Sequence, residues 1–166
     1  MSYYDDLLAV IASYGEPPVA GGKFIFPTKG NFSFYLTSSG DLYAAGYNGY
    51  YQLGNGTNTD VQTWTLVASG VASVACGSYH SLYISTSGAL YGCGSNGNYQ
   101  LGNGTSTTVQ TWTQLVASGV ASVACGDSHS LYISTSGALY GCGRNGNYQL
   151  GNGTSTTVQT WTQLVA

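Results

Sequence analysis

Val71-Ala-Ser-Val-Ala-Cys76-Gly-Ser-Tyr-His80-Ser-Leu-Tyr-Ile-Ser-Thr-Ser-Gly88-Ala-Leu-Tyr-Gly-Cys93-Gly-Ser-Asn-Gly-Asn-Tyr-Gln-Leu-Gly102 is the stretch on which the fold turns. It returns almost unchanged from Val120 to Gly151, and in eroded form from about Lys23 to Gly54. Ser69 to Ala117 and Ser118 to Ala166 align without a gap and differ only at Ser78/Asp127, Tyr79/Ser128 and Ser95/Arg144. The first unit is one residue shorter, because Trp64-Thr65-Leu66 lacks the Gln114 of the second. A fixed period of this kind marks a stack of supersecondary units, none of which can bury its apolar face alone.

The grammar inside one unit is β throughout. Val71 to Cys76 is β-branched and small, and Gly77-Ser78 ends it. His80 to Ser85 forms a second apolar run, Ser87-Gly88 a turn, Ala89 to Cys93 a third strand closed by Gly94, and Val109 to Val116 a fourth. Asn96-Gly97 and Asn103-Gly104 are dipeptides that tolerate positive φ. Four short strands in roughly 50 residues predict a propeller blade, since solenoid coils repeat at roughly 20 to 30.

The motifs Cys76-Gly77-x-x-His80, Gly88-x-Leu90-Tyr91-x-x-Gly94 and Gln100-Leu101-Gly102-x-Gly104 resemble the regulator-of-chromosome-condensation (RCC1) repeat. They recur at Cys125, Gly126 and His129, at Gly137, Leu139, Tyr140 and Gly143, and at Gln149, Leu150, Gly151 and Gly153. The first unit keeps Gly40-Asp41-Leu42-Tyr43, Gly46 and Gln52-Leu53-Gly54, with Thr28 and Phe32 where Cys and His would fall. The resemblance implies an all-β propeller, typically of seven blades. It implies little about function, because such propellers serve as exchange factors, enzyme inhibitors and scaffolds. The chain divides into an N-terminal helix and linker (1–22), a degenerate first repeat (23–68), a second (69–117) and a third (118–166). Three blades make an incomplete ring when closed propellers use roughly four to eight. Open ends would leave blade faces bare, so the expectation is a longer array or several chains sharing one structure.

Only 5% of the residues are charged and the net charge is −3, with Lys23, Lys29 and Arg144 the whole basic complement. That argues against a phosphate-binding face and against nucleic acid as a partner. No stretch approaches the roughly 20 apolar residues that span a bilayer, and the N-terminus, with Asp5 and Asp6, does not read as a secretory signal. A surface of Ser, Thr, Asn, Gln, Gly and Tyr resembles virion fibres, coats and adhesins. Phage structural proteins reach the outside by lysis without an export signal.

Met1 to Tyr14 is the single helix candidate: Ser2 can cap it and Gly15 can end it. Leu7, Leu8, Val10, Ile11 and Tyr14 form its apolar side and read either as a docking segment or as cover for an open blade. His80 and His129 recur with the repeat and read as architectural. Cys76, Cys93, Cys125 and Cys142 lack metal-site spacing. The second strand should hold Cys76 and Cys93 roughly 9–10 Å apart, too far for a disulfide. They read as reduced, buried thiols, with a bridge between neighbouring blades the rival. The Asn-Gly-Thr sequons at Asn55, Asn103 and Asn152 coincide with the repeat's own turn.

Tyr79, Asn98, Tyr99, Asp127, Ser128, Arg144, Asn147 and Tyr148 fall at turns and form a candidate binding-loop set, against the alternatives of blade packing and neutral drift. Tyrosine supplies contact area at low entropic cost. The reading is a non-enzymatic structural or interaction protein, a virion fibre, decoration or adhesion component, without catalytic residues, cofactor or metal. A regulatory propeller of the exchange-factor or inhibitor type is the alternative. Expected partners are other virion or surface proteins through the N-terminal segment, a host-surface receptor, and further repeats. The expected location is the virion, with the cytoplasm as alternative.

Overall fold

The computed structural model describes residues 23–25 and 31–166. The helix expected over Met1 to Tyr14, with Leu7, Leu8, Val10, Ile11 and Tyr14, lies outside the described residues. These hold twelve strands and no helix: β1 Lys23–Ile25, β2 Phe32–Leu36, β3 Leu42–Gly46, β4 Val61–Ala68, β5 Val71–Cys76, β6 His80–Ser85, β7 Leu90–Gly94, β8 Val109–Val116, β9 Val120–Cys125, β10 His129–Ser134, β11 Leu139–Gly143 and β12 Val158–Val165. They form three antiparallel four-stranded meanders, β1–β4, β5–β8 and β9–β12, each a propeller-type blade. The third strand begins at Leu90, one residue later than its apolar run suggests. Ala89 closes the preceding turn instead, its N–H bonded to Ser85 Oγ at 3.1 Å and its C=O to Ser85 N at 2.8 Å.

Strand alternation explains why neither blade face reads as polar. On β6, Leu82 and Ile84 pack toward the third blade, with Leu90, Leu101, Val120 and Tyr132. Tyr83, the residue between them, packs toward the first blade, with Phe32, Phe34, Leu36 and Leu42. Each blade thus carries an aliphatic face toward its successor and an aromatic face toward its predecessor. The aromatic face is Tyr83 stacked on Tyr91 at 4.8 Å with Trp112 edge-on at 4.8 Å, repeated by Tyr132, Tyr140 and Trp161 at 4.7 and 5.0 Å. β9 packs on β5 and β6, whereas the fourth strands β4, β8 and β12 are largely exposed.

Gly94 marks where β7 must turn out of the sheet. It sits at φ +100°, and a Cβ there would lie 2.5 Å from the Tyr79 carbonyl oxygen and 2.8 Å from His80 Cα. No side chain fits that approach, which accounts for the Gly at 46, 94 and 143.

All four cysteines are free. Cys76 pairs with Ser81 and Ser81 with Cys93, so β6 separates the two thiols as the strand order requires. Burial is less complete than the sequence suggests: Cys93 and Cys142 are buried, but Cys76 and Cys125 are half-buried. Desolvation still raises every thiol, Cys125 to about 12 and the others well above the usual range. Since the thiolate is the reactive form, alkylation of the folded protein at pH 8 should be slow at all four and rapid after denaturation. Mass shifts before and after denaturant check this.

His80 is fully buried and bonds across the seam to Ser130, Nε2 to Oγ at 2.9 Å. Ser130 gives its own proton to the Gln100 carbonyl at 2.7 Å. Its oxygen therefore accepts from His80, which places the imidazole proton on Nε2. Burial, with His129 as the lesser cause, lowers the His80 pKa from 6.5 to about 3. Between those values the unfolded chain binds a proton that the folded chain refuses. Stability should therefore fall as pH drops below about 6.5, by about 1.4 kcal/mol per unit. Thermal melts from pH 7 to 5 should show the decline, and His80→Phe, the residue Phe32 supplies at the same register, should remove most of it. An undiminished decline in the variant would move the effect to His129.

Candidate recognition surface

The loop from the third to the fourth strand is built around one buried asparagine. In the second blade, Asn96 Nδ2 donates to Asn103 Oδ1 at 2.9 Å and to the Thr105 carbonyl at 2.7 Å. Its Oδ1 accepts from Leu101 N at 3.0 Å, and its carbonyl accepts from Tyr99 N at 2.8 Å. Asn103 Oδ1 also takes the N–H and hydroxyl of Thr105. The Asn-Gly-Thr sequon is thus the clasp of the loop. Asn48 and Asn145, also fully buried, do the same work in the other blades.

This bonding forces Tyr51, Tyr99 and Tyr148 into the left-handed region, at φ 63°, 60° and 59°. The sequence points instead to Asn96-Gly97, but Gly97 has no positive φ. A bulky residue there costs about 1–2 kcal/mol, which the satisfied asparagine offsets. Asn96→Ala should destabilise by about 2–3 kcal/mol, because it strands the buried Leu101 N–H and releases Asn103. Denaturant melts read the loss; a change below about 0.5 kcal/mol would show that the clasp is dispensable.

The clasp presents its tip at one end of the blades, beside the turn between the first and second strands. Ser95 N bonds to the Tyr79 carbonyl at 2.8 Å, which ties loop and turn together. Tyr47, Tyr50 and Tyr79 meet over the first seam, with ring centroids 6.2 Å (Tyr47–Tyr50) and 4.5 Å (Tyr50–Tyr79) apart. Tyr50 is 43% and Tyr79 46% exposed, an unusual exposure for two rings already in contact. At the second seam the same three positions hold Ser95, Asn98 and Ser128, and Ser78 Oγ donates to Asp127 Oδ1 at 2.9 Å. On the third blade Arg144 and Asn147 are exposed, and Tyr148 is 62% exposed.

The candidate residues therefore do not form one patch. Tyr79 belongs to an aromatic cluster with Tyr47 and Tyr50, which the sequence reading leaves out. Asn98, Asp127 and Ser128 belong to a polar seam, with Tyr99 half-buried beside it, and Arg144, Asn147 and Tyr148 crown the last blade. Comparing all three repeats, and not only the near-identical pair, would have exposed Tyr47 and Tyr50. Position 47 aligns with Ser95 and Arg144, and position 50 with Asn98 and Asn147. Two of the three differences between the long repeats are contacts, Tyr79 on Tyr50 and Ser78 on Asp127. Among the described residues no group of three or more His, Cys, Asp or Glu could hold a metal ion, and no helix is long and apolar enough to cross a membrane.

The Tachylectin family model matches residues 27–166. The solved structure of Prp20p from Saccharomyces cerevisiae, reported with its binding properties to Gsp1p and histones, is 25% identical with a TM-score of 0.74, over 84% of this chain and 37% of that one. Yeast RCC1 (Prp20) bound to Kap60 gives 25% and 0.74 over 84% and 36%. Human WBSCR16, at 22% identity and a TM-score of 0.75 over 89% and 39%, shows the fold alone. The chain spans less than two fifths of the length of each of these structures. The RCC1-like reading of the repeats and the all-β propeller architecture are borne out.

Proposed function

This chain belongs to the Tachylectin family, and from that premise we propose that it is a non-enzymatic attachment module whose loop end holds a neutral partner on a cell surface. The observation that carries the reading is the Tyr47–Tyr50–Tyr79 cluster, two of its rings nearly half exposed and set in an uncharged surround of Asn, Ser and Gly. Aromatic faces held rigid by a scaffold lose little entropy on binding, and the scarcity of charge leaves stacking and hydrogen bonds as the means of recognition. The family name designates a lectin, and a neutral glycan offers apolar C–H faces for the rings and hydroxyls for the amides. The display would sit on a virion fibre or coat, in keeping with a chain that is only 5% charged.

The test uses substitutions that the protein already tolerates. Tyr50→Asn and Tyr79→Ser install the residues that the second seam carries at Asn98 and Ser128, so the fold should survive. Retention on intact cells, displaced by their purified neutral surface polysaccharide, should weaken at least about tenfold in the double variant, about 1.4 kcal/mol. The melting temperature should be unchanged. Equal retention by both proteins would remove the cluster from the function. A second reading, a regulatory propeller that binds a soluble protein, draws on the 25% identity to Prp20p, reported with Gsp1p. Stoichiometric binding to a small GTPase, without retention on cells, would favour it.

A further inference from the structure

We propose that the open face of the third blade is a docking surface for the first blade of a second copy, so that two chains close head to tail into one propeller. The argument starts from what covers the corresponding face one blade earlier. Leu82, Ile84 and Leu90 of the second blade pack on Tyr132 and, through it, on Tyr140 and Trp161 of the third. Polar contacts complete the seam: Ser130 Oγ and Cys142 Sγ donate to the Gln100 carbonyl at 2.7 and 3.4 Å, and Val120 N donates to the Gly88 carbonyl at 3.0 Å. The first seam repeats this set, with Ser81 and Cys93 on the Gln52 carbonyl and Val71 N on that of Gly40.

The third blade displays the same outgoing face, with Leu131, Ile133 and Leu139 for Leu82, Ile84 and Leu90, and with Gln149 for Gln100. There Ile133 is 44% exposed, against 5% for Ile84, and Val165 is 59% exposed. A face built for burial is open at this end.

The matching incoming face lies at the other end of the molecule. The first repeat has eroded on its outgoing side, where Phe32 and Phe34 replace His80 and Leu82. Its incoming side keeps Ser33, Tyr35, Tyr43 and Trp64 at the registers of Ser81, Tyr83, Tyr91 and Trp112; among these positions only Ala45, for Cys93, departs. The rings are present but spread, Tyr35 standing 6.3 Å from Tyr43 and 6.2 Å from Trp64, against 4.8 Å for both distances in the second blade. Tyr35 is already only 2% exposed, so docking exchanges one cover for another and should depend on concentration. With three blades among the described residues of each chain, two copies supply twice that number, within the roughly four to eight that close a ring. Three copies would exceed it.

Sedimentation of the full chain across the micromolar range tests the proposal. The expected result is a species of twice the 17.2 kDa chain mass at high concentration, with nothing larger. Ile133→Lys, which blocks the outgoing face, and Trp64→Lys, which blocks the incoming one, should each weaken assembly by at least about a hundredfold through a buried unpaired charge. An equimolar mixture of the two should restore a dimer through its one intact junction. A monodisperse, cooperatively melting monomer at every concentration would overturn the proposal. So would dimerisation of the Trp64→Lys chain alone, which would mean that outgoing faces meet each other. Because Ile133 is exposed in the single chain, Ile133→Lys should retain the wild-type circular dichroism spectrum, which separates lost docking from lost folding.

Discussion

Each seam depends on a buried serine hydroxyl that reaches back 2.7 Å to a carbonyl of the preceding blade, Ser81 to Gln52 and Ser130 to Gln100. The carbonyl belongs to the glutamine of the asparagine-clasped loop, so the bond joins the least regular segment of one blade to the sheet of the next. It is buried, and leaving either partner unsatisfied would cost about 1–3 kcal/mol. Once that bond is made, the loop cannot shift without opening the seam. The turns at the recognition end are therefore rigid, although they hold no regular secondary structure. His80 adds a second layer at one seam by donating to Ser130; at the other, Phe32 replaces it and the polar layer becomes an apolar one.

The inequality of the two blade faces follows from the same construction. An aromatic face meeting an aliphatic one makes every seam heterologous, so association by this contact has a direction and must close into a ring or run on. A tyrosine pair with a tryptophan edge-on fills the space between sheets that leucines and glycines leave on the facing blade. Gly92 allows this: a Cβ there would meet Leu115 and Leu82 at 2.7 Å, so the aliphatic face could not lie flat with any other residue. Near-identity of the second and third repeats then has a mechanical meaning, because their seams are interchangeable.

Variation is confined to the end where it does not disturb the seams. Ser78/Asp127, Tyr79/Ser128 and Ser95/Arg144 all sit outside the strands, at the loop end. The order from first seam to last blade runs aromatic, then neutral polar, then cationic at Arg144. A rigid frame with a graded rim suits recognition better than catalysis, which would need convergent acid, base or metal-binding groups.

The sequence alone determined the period, the four strands of each unit and the propeller class. These are local or repetitive properties: β-branched runs, glycine turns and a spacing of 49 residues from Cys76 to Cys125. It also determined that Cys76 and Cys93 cannot pair, since strand order fixes their separation. What only the tertiary structure decided is what meets across the seams. Tyr47 and Tyr50 join Tyr79 because two loops from different blades converge, and a period read along one chain says nothing about which loop tips touch. Asn96 looks like a turn residue in sequence, yet it is fully buried, because its amide answers backbone groups that only the folded loop brings to it. The exposure of Ile133 is likewise invisible in a repeat identical at that position to Ile84; burial there is set by whether a neighbour stands opposite, not by the residue itself.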